Sequence, residues 1–150
     1  MSKNMDFDTT VKQAVYLHFA DTGKAPSVST VATVVNATEE EVHSSYARLA
    51  DVRALVLEAE GTSIRMALPF SGVPTQHIVE SEGIQYYANC AWDALGIPAA
   101  LGRPATVRSS CAQSGDPLVL EIPGQEPPPS DWLFHCLVPA ASWWDDIVFT

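Results

Sequence analysis

The residues of this chain best suited to covalent chemistry are Cys90 and Asp93, which lie three positions apart in the stretch YYANCAWDALG. If residues 86–95 form a helix, this spacing places the thiol and the carboxyl group on one face, one turn apart. A nucleophilic sulfur beside a group that carries a proton is a workable pair for covalent catalysis. A packed thiol beside a solvated helix residue would show the same spacing. Spacing alone leaves both interpretations open.

The sequence on both sides of this helix predicts a small β lobe. Pro98 should end the helix within Gly96-Ile97-Pro98, because proline disfavours helical backbone at the preceding residue. Four further strands are predicted, at residues 76–79, 105–109, 118–122 and 132–138, with a last strand starting at 147–150. In the fourth of these, His135 and Cys136 would point to opposite faces, which disfavours a joint metal site.

The N-terminal part predicts three helices followed by a hairpin. The helices cover residues 6–20, 28–35 and 39–52, and Thr38 with Glu41 forms a capping-box pattern before the third. Residues 54–59 and 63–68 read as two short strands around a glycine-containing turn. This order is typical of a winged-helix module. A Pro/Gly-rich linker at 69–75 then separates a lobe at 1–70 from a lobe at 76–150.

Charge and composition exclude several functions. Lys and Arg total 8 against 18 Asp and Glu, which gives a formal net charge of -10. Binding to nucleic acid or to an anionic membrane needs a cationic surface, so both partners are disfavoured, as is regulation of transcription through the winged helix. The three cysteines cannot form a complete disulfide framework. The chain lacks an apolar run of ~20 residues and an N-terminal apolar signal segment, so a cytoplasmic location is expected.

The central stretch resembles a known family. Residues 88–122 are similar to the core of the organomercurial (alkylmercury) lyases, and the three-helix lobe resembles the N-terminal lobe of that family. The matching positions are Cys90, Asp93, Pro98, Gly102, Arg103, Cys111 and Gly115. The resemblance implies thiolate capture of mercury and protonolysis of a carbon–mercury bond. Cys90 and Asp93 would then be both the catalytic and the mercury-binding residues, and Cys111 a structural thiol in the core.

One departure from the family pattern concerns a second mercury-binding cysteine, which would fall at Thr150 or just past it. Cys136 does not align with that position. The favoured prediction is an organomercurial-lyase-like protein. The alternative is a non-catalytic or differently catalytic homologue that binds a metal or a small thiol on the same scaffold. A second thiolate would strengthen the hold on a soft metal.

The predicted fold class is α+β, with a winged-helix-like three-helix lobe and hairpin packed on a mixed β-sheet lobe that carries the site helix. No cofactor is expected. Hg(II) would be the product or bound ligand, and external thiols would be needed for turnover. The expected partner is a small organomercurial or another soft-metal or thiol ligand, bound by a monomer or homodimer.

Overall fold

The computed structural model describes residues 3–124 and 126–148 of the chain. Three helices come first, then seven short strands interrupted by a fourth helix, and a 3-10 helix near the end. The elements are α1 (Lys3–Thr22), α2 (Val28–Val35), α3 (Glu39–Asp51), β1 (Val56–Leu57), β2 (Ile64–Ala67), β3 (Phe70–Ser71), β4 (Ile78–Ser81), β5 (Ile84–Tyr87), α4 (Ala91–Leu101), β6 (Ala105–Ser110), β7 (Pro117–Ile122) and the 3-10 helix (Ala140–Asp145). The predicted α+β class is confirmed. None of the described helices is both long and apolar enough to cross a membrane.

Local sequence signals define the three N-terminal helices. In α1, Val11, Val15 and Phe19 repeat every four residues and are fully buried against the core. Ser27 accepts a hydrogen bond from the N–H of Thr30 and caps α2. The predicted capping box is confirmed at α3, where the Thr38 and Glu41 side chains each bind the other's backbone N–H. Three helices followed by a hairpin are therefore correctly predicted.

The strands form two antiparallel sheets. The first has the order β1-β2-β3, and the second has the order β5-β4-β6-β7. Every strand pair described in the second sheet is antiparallel, so the prediction of a mixed sheet is wrong. Short connections between sequential strands favour this arrangement, because an antiparallel pair needs only a tight turn. Residues 70–71 were predicted as linker, but they pair with β2 as an edge strand.

The helix that carries the candidate site begins later and ends later than predicted. Tyr86 and Tyr87 belong to β5, whereas α4 starts at Ala91 and continues through Pro98 to Leu101. The prediction that Pro98 ends the helix is wrong. Proline inside a helix costs about 3 kcal/mol through its missing N–H and steric clash. Here Pro98 and Ile97 are fully buried, and this packing against the second sheet offsets the cost.

An aromatic cluster joins the helices to the strands. The Phe70 ring lies 5.3 Å from the Phe19 ring, 5.7 Å from the Tyr86 ring and 6.4 Å from the Tyr16 ring, measured between centroids. The Tyr86 hydroxyl donates a 2.7 Å hydrogen bond to the carbonyl of Ala20 in α1. These contacts fix α1 against the strand that leads into α4.

The predicted strand at 132–138 is absent, because these residues form no ladder in the described chain. Leu133 is 93% exposed, which is incompatible with the expected buried strand. Val148 lies in a turn, so the strand predicted at 147–150 is not formed there, and Phe149 and Thr150 lie outside the described residues. The 3-10 helix instead anchors the tail. Its Trp144 ring lies 5.3 Å from the guanidinium carbon of Arg53.

Candidate active site

Cys90 is the residue that immediately precedes the first turn of α4. Its backbone is extended, with φ of -148° and ψ of 179°, and helical geometry begins at the next residue. Only Ala88 and Asn89 separate it from the end of β5, so the sheet fixes its position closely. Cys90 is thus the N-cap residue and Asp93 the third residue of the helix. The structure brings the two predicted site residues together through this first turn, although Cys90 itself lies outside the helix.

The surroundings of the Cys90 thiol act on its pKa in opposite directions. The side chain is half-buried, and this burial raises its pKa as the largest effect. The backbone N–H groups of Trp92 and Asp93 face the sulfur and lower its pKa, although no capping hydrogen bond to the thiol is formed. The negative charge of Asp93 raises it again. The thiol therefore keeps its proton at rest, and the helix start favours the thiolate once that proton has left.

Burial also raises the pKa of the Asp93 carboxyl group, and the hydrogen bond from Asn89 partly opposes this effect. The Asn89 Nδ2 atom lies 3.0 Å from Asp93 Oδ2. Tyr16 of α1 is a further neighbour of Asp93. Burial is the main cause of the raised pKa of Tyr16, and the charge of Asp93 adds to that effect. The Tyr16 hydroxyl itself donates to the carbonyl of Leu68 at 3.1 Å. Asp93 is therefore a desolvated carboxyl group that accepts a proton more readily than an exposed aspartate.

The rim of the site is apolar and partly formed by the tail of the described chain. Trp92 is 57% exposed, and its ring lies 5.5 Å from the ring of Phe134. The exposed Cys136 follows two residues later, and its charge is the last and smallest contribution that raises the pKa of Cys90. On the opposite side, a Cβ at Gly96 would lie 3.3 Å from Cβ of Pro69. The absence of a side chain at Gly96 allows α4 to approach this loop closely.

Two other predicted residues lie away from this site. Arg103, one of the positions that match the family, forms an ion pair with Glu82 at 3.2 Å near the end of α4. Cys111 was expected in the core, but it is partly exposed in the turn after β6. Hydrogen bonding from the Ser114 side chain is the largest of the effects that lower its pKa. The core placement of Cys111 is therefore wrong, and its thiol is more acidic than that of an ordinary cysteine.

Sequence reasoning missed Asn89, Tyr16 and Trp92. Asn89 precedes the thiol directly, yet a single asparagine carries no signal beyond turn propensity. Tyr16 lies in α1, more than seventy positions from Asp93, so the chain order does not indicate their proximity. Trp92 falls between the two predicted residues in the sequence, but residue spacing does not reveal that its side chain is exposed.

This arrangement can support proton transfer coupled to attack by a thiolate. A half-buried thiol, a desolvated carboxyl group and an apolar rim share one helix start on an α+β scaffold, which defines a cysteine-dependent protein suited to soft electrophiles or soft metals. Within residues 3–124 and 126–148, no group of three or more His, Cys, Asp or Glu side chains is arranged to hold a metal ion. A resident metal with a full protein ligand set is therefore not built from the described residues.

The alkylmercury lyase (MerB) family model matches residues 70–150, more than half of the chain. The chain belongs to this family. It is 30% identical over 100 residues to an alkylmercury lyase from Bacillus cereus, across 67% of this chain and 44% of that protein. It is 49% identical over 49 residues to an alkylmercury lyase from Streptomyces lividans, across 33% of this chain and 23% of that protein. The chain thus spans less than half the length of these curated relatives.

The fold also matches a solved structure, the mercury-bound form of MerB2. The TM-score is 0.58 at 23% sequence identity, and the match covers 82% of this chain and 68% of that one. This likeness agrees with the α+β architecture and with the order of helices before sheets.

Proposed function

We propose that this protein cleaves carbon–mercury bonds, with Cys90 as the thiolate that captures mercury and Asp93 as the proton carrier. Membership of the alkylmercury lyase family supports the reaction class. The observation that carries the proposal is the shared first turn of α4, in which burial raises the pKa of both the Cys90 thiol and the Asp93 carboxyl group. These shifts favour the protonated form of both groups and so favour transfer of a proton between them.

Capture of the substrate begins at sulfur. A thiolate is a soft ligand and prefers a soft metal such as mercury, whereas an oxygen ligand does not. The Cys90 thiol must lose its proton when the sulfur–mercury bond forms. The Asp93 carboxylate accepts that proton, since its raised pKa makes it a stronger base than an exposed aspartate. The N–H groups of Trp92 and Asp93 stabilise the sulfur while it is anionic.

Cleavage then returns the proton to carbon. Asp93 donates its proton to the carbon bound to mercury, and the electron pair of the carbon–mercury bond forms the new carbon–hydrogen bond. Mercury stays on the sulfur of Cys90. The sum converts an organomercurial cation (RHg⁺) and the Cys90 thiol into a hydrocarbon (RH) and a mercury cation bound to the Cys90 thiolate (S–Hg⁺), so atoms and charges balance. Any other ligand on the mercury leaves as its anion or stays bound to the metal. The pair is half-buried, which reduces its contact with water.

Release of mercury requires further thiolates, and we propose that external small thiols provide them. Among the described cysteines, Cys136 is the thiol whose charge acts on Cys90. It is exposed and follows Phe134, which contacts Trp92 at the rim. Cys136 is therefore the candidate, among the described cysteines, for a second mercury ligand in place of an external thiol. Three free thiols also fit work in the cytoplasm, where cysteines stay reduced.

Mercury binding tests the role of Cys90. The protein is titrated with Hg(II) up to one equivalent without added small thiol, because excess external thiol would release the metal, and the bound mercury is counted by native mass spectrometry. We expect one tightly held Hg(II) in the wild type and in Cys111→Ser, and a loss of that tight binding in Cys90→Ser, because the thiols that remain are not placed beside the Asp93 carboxyl group. Cys136→Ser reports whether that thiol is a second ligand. Equal retention by wild type and Cys90→Ser would refute the assignment.

Cleavage is tested separately, through hydrocarbon release from methylmercury with excess thiol. We expect methane from the wild type, and a loss of at least about a hundredfold in Asp93→Asn, since general acid–base groups contribute ~10²–10⁴ in rate. Mercury retention without methane would refute lysis and leave the metal- or thiol-binding alternative.

A further inference from the structure

Asn89 connects the site to the loop that leads from β2 into β3, within the first sheet. It lies directly before Cys90, and its side-chain nitrogen Nδ2 faces three oxygen atoms. The distances are 3.0 Å to Asp93 Oδ2, 3.2 Å to the Phe70 carbonyl and 3.3 Å to the Pro69 carbonyl. One side-chain amide therefore contacts both the carboxyl group of the site and the loop that leads into β3.

The two carbonyls determine which way the amide points. A carbonyl oxygen only accepts hydrogen bonds, and the amide of asparagine has one donor nitrogen and one acceptor oxygen. With the amide reversed, its oxygen would face the carbonyls of Pro69 and Phe70 and repel them. The nitrogen must therefore face the loop, and it faces Asp93 Oδ2 as well. The remaining amide oxygen, Oδ1 of Asn89, is buried without a hydrogen-bond partner among the described residues.

This orientation distinguishes the two oxygens of Asp93. Oδ2 accepts a hydrogen bond from an N–H group, so a proton on Oδ2 cannot point toward Asn89. The free oxygen, Oδ1, is then the one that takes up and releases a proton. The other titratable neighbours do not alter this. The Tyr16 hydroxyl donates to the carbonyl of Leu68, and the thiol of Cys90, the N-cap residue of α4, makes no hydrogen bond to Asp93 Oδ1 among the described contacts.

We propose that Asn89 is a positioning residue that holds Asp93 through Oδ2 and leaves Oδ1 as the oxygen that transfers the proton. This role rests on the proposed function for its catalytic meaning. The structural part of the role does not depend on the substrate. The Asn89 amide donates a hydrogen bond that orients the Asp93 carboxyl group and stabilises its charged form. The loop at Pro69 and Phe70 thereby sets the geometry of the proton carrier, although it contributes no side chain to the chemistry.

The test compares Asn89→Ala with Thr75→Val. Thr75 donates a 2.6 Å hydrogen bond to the carbonyl of Ala88, next to Asn89, and does not contact Asp93. The control therefore removes a comparable hydrogen bond to the residue that precedes Asn89, made from the segment between β3 and β4. Asn89→Asp serves as a second variant if alanine prevents folding, since it keeps the side-chain shape and replaces the donor by an acceptor.

The first readout is the ¹³C carboxyl resonance of Asp93, titrated by NMR and assigned by its absence in Asp93→Asn. We expect the pKa of Asp93 to rise in Asn89→Ala and in Asn89→Asp, because each loses the donor that favours the carboxylate. We expect no change in Thr75→Val. An unchanged Asp93 pKa in a folded Asn89 variant, or an equal shift in the control, overturns the proposal.

The second readout is the pH dependence of methane release from methylmercury. We expect the acid limb to move to higher pH in Asn89→Ala and the maximum rate to fall about tenfold or more, a loss typical of a misplaced reacting group. A variant that is only less stable would lose rate without moving the limb. If the wild type releases no methane, lysis fails while the NMR titration still decides the role of Asn89. If lysis proceeds and the Asp93 pKa is unchanged, the role of Asn89 alone is refuted.

Discussion

Replacement of Phe70 by alanine should destabilise the whole described fold. The side chain is 3% exposed and its ring contacts the rings of Phe19, Tyr16 and Tyr86. Deletion of a buried phenylalanine costs about 3–5 kcal/mol, and aromatic pairs of this geometry contribute about 0.5–1.5 kcal/mol each within such a total. We therefore expect a loss of ~4 kcal/mol from the free energy of unfolding, a large part of the ~5–15 kcal/mol typical of a domain.

Urea unfolding followed by tryptophan fluorescence measures this loss, and thermal unfolding should show a decrease in Tm of about 10 °C for a chain of this size. Leu133→Ala is the matched control, because that side chain is 93% exposed and its removal should change stability by no more than ~0.5 kcal/mol. One cooperative transition is expected, since buried residues of α1, both sheets and α4 form one cluster. A loss below about 1.5 kcal/mol, or a transition split in two by Phe70→Ala, would refute this account of the core.

Three further predictions concern charged groups. Methane release should have a bell-shaped pH profile. Because burial raises the pKa of both Asp93 and Cys90, the acid limb should lie above the usual pKa range of a carboxyl group and the basic limb above that of a thiol. Limbs at the ordinary pKa values would contradict this. Asp93→Asn should raise the free energy of unfolding by roughly 1 kcal/mol at neutral pH. The pKa of Asp93 is higher in the folded protein than in the unfolded chain, so urea titrations should show that the stability gain of Asp93→Asn vanishes below about pH 3.9. A gain that does not change with pH would exclude the buried Asp93 charge as its cause. Asp8→Asn should cost about 1 kcal/mol at neutral pH, because Arg48 and Ser45 bind this carboxylate at 2.6 Å and hold its pKa low. The deficit should shrink as pH falls through the lowered pKa, and a constant deficit would refute the ion-pair explanation.

The elements predicted correctly from sequence are those set by local interactions. The capping box at Thr38 and Glu41 involves residues three apart, so the sequence contains the whole motif. The helix around Cys90 was misplaced because Tyr86 and Tyr87 fit either a helix or a strand, and only pairing with β4 decides between them. Pro98 inside α4 could not be foreseen, since its stability depends on burial against the second sheet.

The candidate site was predictable as a pair of residues and not as an environment. Cys90 and Asp93 are close in sequence, whereas the acceptors that orient Asn89 are about twenty positions away. At the apolar run 132–138, by contrast, the local sequence pattern led to a wrong prediction. Its composition favours a buried strand, but no neighbouring strand pairs with it in the described chain, and Leu133 is solvent-exposed.

The position of Cys90 at the start of α4 has a consequence for natural variation. The chain uses serine and threonine before α2 and α3, where each accepts a backbone hydrogen bond, but the cysteine before α4 accepts none. Serine at an N-cap typically stabilises a helix by about 1 kcal/mol over a residue that does not cap. Exchange of this sulfur for oxygen would therefore favour folding while removing the soft ligand. At this helix start the thiol is therefore the less stable choice, and its advantage over oxygen is its affinity for soft metals.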